Sequence, residues 1–351
     1  MQAAIFTGPK QIEIREVELP SLNPDQILVK VKAVGLCTWE QRFYKGADAG
    51  SYPFRGGHEV SGVVVEVGPA AKTTLKPGDT VCLALATRCN SCYYCRRGLD
   101  NLCPYNNYVP SGQIWGPAGL SEYVLAEPYQ VYKVNTTLPF EQLALAEPVA
   151  CVTRSVSLPP LEFGDTVIVQ GVGIMGLLHV QLLKQRGVRV IVTEPDPARR
   201  EVALSLGADL AIDPLAHDLA GLVREQTQGI GAPAIFFTGG GAPAIAQGLD
   251  ALAKGGWLCL YGSIYPKGTI QIDPNEIHYR ELVFTGTFSH SRASFRQAVA
   301  AISAGQIDLS PYVSAWVPFP EVQAGFELAI RPDTYRVVVT FGERKQVAGG
   351  K

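Results

Sequence analysis

Three glycines, Gly171-x-Gly173-x-x-Gly176, stand between an apolar segment, TVIVQ, and a helical one, LLHVQLLKQRG, and few folds accommodate that order. Such a run leaves a strand, turns tightly and opens a helix. Its glycines let backbone N–H groups approach a pyrophosphate at the helix's positive end. The spacing alone also occurs in ordinary glycine-rich turns. Here a second apolar segment, VRVIVTE, follows and ends at Glu194, 23 residues beyond Gly171. A carboxylate at that point takes the adenosine ribose hydroxyls and repels a 2′-phosphate. The expected cofactor is therefore NAD rather than NADP, held by Gly171, Gly173, Ile174, Met175, Gly176 and Glu194, with Arg199 nearby. Arg199 and Arg200 offer a phosphate partner on paper, and read more simply as a solvated helix face.

The strand–turn–helix grammar repeats from about residue 163. PARREVALSLG reads as a helix, AIFFT, WLCLYG and ELVFTGTF as strands, and APAIAQGLDALAKGG as the helix between the first two of these. This predicts a doubly wound parallel sheet of the Rossmann kind over 153–288. Residues 1–152 have another texture. IFTGPKQIEIREVEL reads as a hairpin, and QILVKVKAVGL, SGVVVEVG and TVCLALA as strands. SRASFRQAVAAISAG reads as a helix and YRVVVTF as a closing strand, so 289–351 is expected to rejoin that β-rich first part. With 36 Gly and 25 Pro, the chain exceeds average usage of turn residues.

Net charge is −2, so no basic field exists to hold nucleic acid or an anionic membrane surface. No apolar run reaches the length of a membrane span, and the N-terminal residues lack a signal-peptide core. A cytoplasmic location is expected. In such a reducing compartment the eight cysteines are metal ligands or buried thiols, not a disulfide framework. Cys89-x-x-Cys92-x-x-Cys95-x7-Cys103 offers four thiolates on a polar loop (about 88–105), the pattern of a closed, structural zinc site. An iron–sulfur cluster has the same ligand type. Cys82, Cys151 and Cys259 sit among apolar neighbours and read as core.

A looser set comprises Cys37, then Gly57-His58-Glu59-x-x-Gly62, then Glu147-Pro148. A thiolate, an imidazole and carboxylates can hold zinc and leave a position open for substrate. Gly62 stands where a protease HExxH motif needs its second histidine, which excludes that chemistry. Singly, His58 would be a structural histidine, Glu59 a salt-bridge partner and Glu147 a helix-entry residue.

Together these motifs resemble the zinc-dependent medium-chain dehydrogenases along essentially the whole chain. Gly57-His58-Glu59-x-x-Gly62-x-Val64-x-x-Val67-Gly68, then Gly78-Asp79-x-Val81, is similar to their catalytic-domain signature, and the four-cysteine lobe, the fingerprint and the TGGG turn at 238–241 follow in that family's order. The resemblance implies an α/β architecture with a GroES-like β-rich catalytic domain beside the Rossmann domain. It further implies two zinc ions per subunit, one catalytic and one structural, NAD, a cleft active site, and a homo-oligomer with a tetramer favoured. Cys37 and His58 would hold the catalytic zinc. Ala146-Glu147-Pro148-Val149 is similar to the polyol, sugar and threonine dehydrogenase branch, in which the equivalents of Glu59 and Glu147 both lie at the metal. Which of the two coordinates stays open, and Cys151 is an alternative thiolate. The expected reaction is reversible hydride transfer between a secondary alcohol of a polyol or sugar and NAD. Threonine or another alcohol is the near rival, and a zinc-free quinone or enone reductase or a non-catalytic nucleotide-binding protein are the remote ones.

One stretch departs from the family. Cys37-Thr38-Trp39-Glu40-Gln41-Arg42 puts an indole where the resemblance implies the hydroxyl that relays the substrate proton, and Arg42 where it implies an outer histidine. Thr38, or a water on Glu147, would then carry the proton. Trp39 is either a pocket wall or a core aromatic, and Trp115 is a weaker candidate of the same kind.

Overall fold

A computed structural model describes residues 1–47, 52–106, 113–264 and 268–342. The chain forms two compact units, one from Met1–Ala150 with the stretch beginning at Ser291, the other Cys151–His290.

Among its described residues the second unit carries six strands, all parallel, in the spatial order Leu210–Ile212, Arg189–Thr193, Thr166–Gln170, Ala232–Phe237, Leu252–Leu260, Val283–Gly286. Counted along this unit the order is 3-2-1-4-5-6, the doubly wound arrangement that binds dinucleotides where the order reverses. The two central strands lack polar–apolar alternation because helices cover both faces, and Val167, Ile168, Val169, Ile235 and Phe236 have no exposed surface. The helix Pro197–Ser205 begins on Asp196, whose carboxylate accepts from Ala198 N–H at 2.9 Å, a cap worth about 1 kcal/mol. One boundary differs from expectation. The helix Gly241–Ala251 stops short, and Leu252 already pairs with Ala232 as the next strand begins. Sheet pairing overrides helix-compatible residues there.

His179 sits at the middle of the fingerprint helix Ile174–Gln185, fully buried. Its Nδ1 lies 2.7 Å from the Met175 carbonyl and its Nε2 2.9 Å from Ser155 Oγ, with the rings of Phe236 and Tyr261 against it. Burial pushes its pKa down to about 4 from an ordinary 6.5. Between those values the unfolded chain binds a proton that the fold refuses. Stability is thus complete above pH 6.5 and falls as pH drops towards 4, by about 3 kcal/mol. Denaturant titrations at pH 7 and pH 4 should show His179→Asn losing about 3 kcal/mol less than wild type over that interval; equal losses would contradict the assignment.

In the first unit a hairpin, Gln2–Gly8 with Gln11–Glu16, packs beside a mixed sheet with seven strands among the described residues. Its path runs Val313–Pro318, Arg336–Thr340, Ile27–Gly35, Glu59–Val67, Thr80–Ala84, Val131–Lys133, and Tyr123–Ala126 pairs with Ile27–Gly35. The last described strand, Arg336–Thr340, joins antiparallel to Ile27–Gly35, so residues after the second unit complete a sheet started before it. The core is Phe6, Val29, Val31, Phe54, Val81, Phe326 and Val337 with their neighbours. Among the described residues no helix is long and apolar enough to cross a membrane.

Candidate functional site

Cys37 follows the strand Ile27–Gly35 and stands at the N-cap of the short helix Thr38–Tyr44. His58 directly precedes Glu59, which opens the neighbouring strand and pairs with Gly35. Two adjacent strand ends therefore deliver a thiol, an imidazole and a carboxylate to one place, their donor atoms all within 4.8 Å of one another. Gly35 makes room for this: a Cβ there would stand 2.1 Å from Glu59 Oε2. Glu147, in the first turn of the helix Ala146–Val156, lies outside that triad, with Oε2 4.0 Å from His58 Nε2. Cys151 is buried and not part of the group, and Thr38 is exposed.

Two residues of this centre escaped sequence reasoning. Glu40 is buried and its Oε1 lies 2.6 Å from His58 Nδ1, also accepting from Gly57 N–H at 3.0 Å. A carboxylate on one ring nitrogen fixes the imidazole and raises the basicity of the other, the arrangement found behind metal-bound histidines. Its place three residues after Cys37 was the available signal. Arg336 is almost wholly buried, pairs with Glu59 Oε1 at 2.9 Å and donates to the Leu36 carbonyl at 3.0 Å. Nothing near it in sequence marks it.

The electrostatics are those of a site built around a cation. Burial, then Glu59, push the Cys37 thiol up. Burial lifts the Glu59 carboxyl to about 7, with Arg336 pulling the other way. Burial disfavours charge on His58, but Glu40 and Cys37 outweigh it and hold its pKa well above the ordinary value. The Arg336 contact lacks hydrogen-bond alignment, and both Glu59 oxygens are buried without a hydrogen-bond donor. Soft sulfur, imidazole nitrogen and an undonated carboxylate match what zinc takes, so the residues fit the metal.

Cys89, Cys92, Cys95 and Cys103 likewise bring their sulfurs within 4.8 Å of one another. Backbone N–H groups point at them: Cys92 N–H to Cys89 at 3.3 Å, Cys95 N–H to Cys92 at 3.4 Å and Cys89 N–H to Cys103 at 3.4 Å. The Ser91 and Cys92 amides draw the Cys89 thiol down to about 6, while burial and neighbouring sulfurs push Cys95 up to about 12. Four crowded thiols ionise together only around a cation, so this donor set also fits zinc. Asp100 anchors the lobe, accepting from Arg88 Nε and from the Arg292 backbone N–H, both at 3.2 Å.

The fingerprint has the expected form. Gly171 takes φ +82, and a Cβ on Gly176 would stand 2.0 Å from the Gly171 carbonyl oxygen, so only glycine lets the first turn of the helix pack this close to the loop. Thr238, first of the TGGG turn, donates to the carbonyls of Gln170 at 2.9 Å and Gly171 at 2.7 Å. Glu194 accepts from Val172 N–H at 3.0 Å and Asp196 N–H at 3.2 Å, which brings its carboxylate against the loop. Gly173 caps the helix that Ile174 and Met175 begin. Arg199 reaches back, its Nη1 3.9 Å from a Cβ built on Gly173, whereas Arg200 is spent on the carbonyls of Glu194 and Pro195.

Trp39 is half-buried on the helix after Cys37. Its ring centroid is 5.6 Å from that of His58, and Phe43 and Phe54 meet it edge-on at 5.0 and 5.5 Å. Trp115 packs on Phe43 and Phe54.

A GroES-like unit with a thiol–imidazole–carboxylate centre and a four-cysteine lobe, and a Rossmann unit with its fingerprint, define the class of zinc-binding dehydrogenases. Comparison with known proteins agrees. Residues 23–136 match the alcohol dehydrogenase GroES-like domain and residues 174–304 the zinc-binding dehydrogenase domain. The chain is 32% identical over 351 residues to an L-threonine 3-dehydrogenase of Pyrococcus abyssi, covering 96% of this chain and 98% of that one. It is 29% identical over 337 residues to a D-arabitol-phosphate dehydrogenase of Enterococcus avium, covering 95% and 94%. A zinc-binding dehydrogenase of Sinorhizobium meliloti, crystallised with NADP, superposes with a TM-score of 0.87 at 28% identity, covering 97% and 98%. This chain belongs to the zinc-dependent medium-chain dehydrogenase family, in its polyol and threonine dehydrogenase branch.

Proposed function

We propose that this protein oxidises a secondary alcohol of a polyol or sugar, reversibly, with NAD. The observation that carries this reading is the convergence of Cys37, His58 and Glu59 within 4.8 Å, with Glu147 4.0 Å from the histidine. When bound, zinc supplies Lewis acidity toward the substrate hydroxyl and the nicotinamide supplies the hydride acceptor. Cys37, His58 and Glu59 would hold the metal, and Glu40, on His58 Nδ1, would leave Nε2 as the nitrogen to meet it. Arg336 balances the buried Glu59 charge. Trp39 has no hydroxyl to relay a proton, and Thr38 faces solvent. Glu147 Oε2, the carboxylate oxygen beside the triad, accepts the substrate proton directly or through one water. Glu194 supports NAD, because a carboxylate at the loop takes ribose hydroxyls and opposes a 2′-phosphate.

The relatives named above act, by their names, on an arabitol phosphate and on threonine, so the panel must span both. Zinc-loaded protein is assayed for NAD reduction with polyols, aldoses, polyol phosphates, threonine and simple alcohols. A preference for polyols or sugars is expected, and a preference for threonine would replace the substrate reading. NAD should exceed NADP in kcat/KM by about a hundredfold, and Glu194→Ser should erase most of that ratio. NADP as the preferred cofactor of the unaltered protein would overturn the cofactor reading.

A further inference from the structure

We infer that Trp39 is the specificity-determining surface of this site, and that it selects an alcohol whose carbinol carbon belongs to a ring, a cyclic sugar or cyclitol, over an open-chain one. The inference deepens the alcohol-oxidation reading and rests on it for the reaction, though not for the binding. Three observations lead to it. Trp39 lies two residues from Cys37, on the first turn of the same helix. Its ring centroid is 5.6 Å from the His58 ring at 70°, so the indole stands directly beside the donor set. T-shaped contacts with Phe43 and Phe54 and packing against the core of this unit hold the side chain in place, while the residue stays only partly buried.

The chemistry follows from shape. An indole is a large, rigid, flat apolar surface with a single N–H donor and no acceptor. A flexible open-chain polyol covers such a plane poorly and loses rotamer freedom in doing so. A saturated ring lays its C–H face flat against the indole and turns its hydroxyls outward at the rim, one of them toward the donor set. A gain equal to the upper end of what aromatic pairs show amounts to about tenfold in affinity. The residue that removes the relay hydroxyl thereby supplies a recognition surface in its place.

The test pairs two vicinal diols, cyclohexanediol and butanediol, which differ in ring closure and leave the reacting group alike. In the zinc-loaded protein with NAD, the ring diol should exceed the open-chain diol about tenfold in kcat/KM. Calorimetric binding to the zinc-loaded protein should show the same order. Trp39→Leu keeps an apolar side chain without a flat face and should bring both ratios to within about twofold, whereas Trp39→Phe should keep most of the preference. A wild type without ring preference, no measurable ring-diol binding, or a preference that survives Trp39→Leu overturns the inference. Ring-selective binding that depends on Trp39 but comes without turnover of either diol would uphold it and refute the oxidation reading. Turnover of both diols at equal efficiency would do the reverse.

Discussion

Replacing Cys37 or His58 with Ala is expected to lower kcat/KM by about a thousandfold or more, because the metal's Lewis acidity supplies several kcal/mol of the barrier reduction. The same variants should bind NAD as tightly as wild type, since Gly171, Gly173, Gly176 and Glu194 belong to the other unit of the chain. Glu40→Ala belongs in the same series with an intermediate loss, about ten- to a hundredfold. Among the described residues its carboxylate meets the far nitrogen of His58 and the Gly57 amide, so it positions a ligand without being one. Steady-state kinetics, zinc analysis and NAD titration of the three variants separate these effects. Loss of NAD binding in Cys37→Ala would count against two independent sites. Full activity in His58→Ala would remove the imidazole from the centre altogether.

The sequence reveals what is local. The fingerprint, the four cysteines and the strand–helix alternation of the second unit each lie within a few turns of chain, where spacing maps directly onto geometry. Cys37, His58 and Glu59 form only a loose set in sequence, which the resemblance sharpens, since nothing between residues 37 and 58 specifies that two strand ends meet. The pairing of Gly35 with Glu59 brings them together, and register is a property of the sheet. Arg336 illustrates the limit. Its partner Glu59 is 277 residues earlier, and the contact arises because the last strand joins the strand Ile27–Gly35. A lone arginine opening an apolar strand carries no local mark of a buried ion pair. Glu40 was within reach, because a histidine offered as a metal ligand needs a partner for its second nitrogen. Glu40, three residues after Cys37, is an acidic residue in the right neighbourhood to be that partner. Trp39, conversely, was conspicuous in sequence only as a departure, and its role became arguable once its ring was seen beside His58.

Cys89→Ser should reduce bound zinc from two ions per chain to one and destabilise the lobe by about 5 kcal/mol or more, since a structural site's binding energy is also folding energy. A serine hydroxyl stays protonated where a thiolate is required, and the remaining three sulfurs cannot close a tetrahedron. The amides of Ser91 and Cys92 that hold the Cys89 thiol down to about 6 would then face a poorer acceptor. The damage should spread along one path. Asp100 ties the lobe both to buried Arg88 and to Arg292 at the start of the helix Arg292–Ser303, and Arg292 Nη1 also donates to Asn90 Oδ1 at 2.8 Å. Proteolytic cleavage should therefore appear first within 88–105 and only later near residue 292. Molecules that retain the fold should keep much of their turnover number, because no lobe cysteine belongs to the Cys37–His58–Glu59 group. Metal analysis with thermal melting and timed proteolysis decides the matter. An unchanged zinc content and an unchanged melting temperature would show that four converging sulfurs here hold no metal, and the lobe would have to owe its shape to Asp100 and the backbone amides alone.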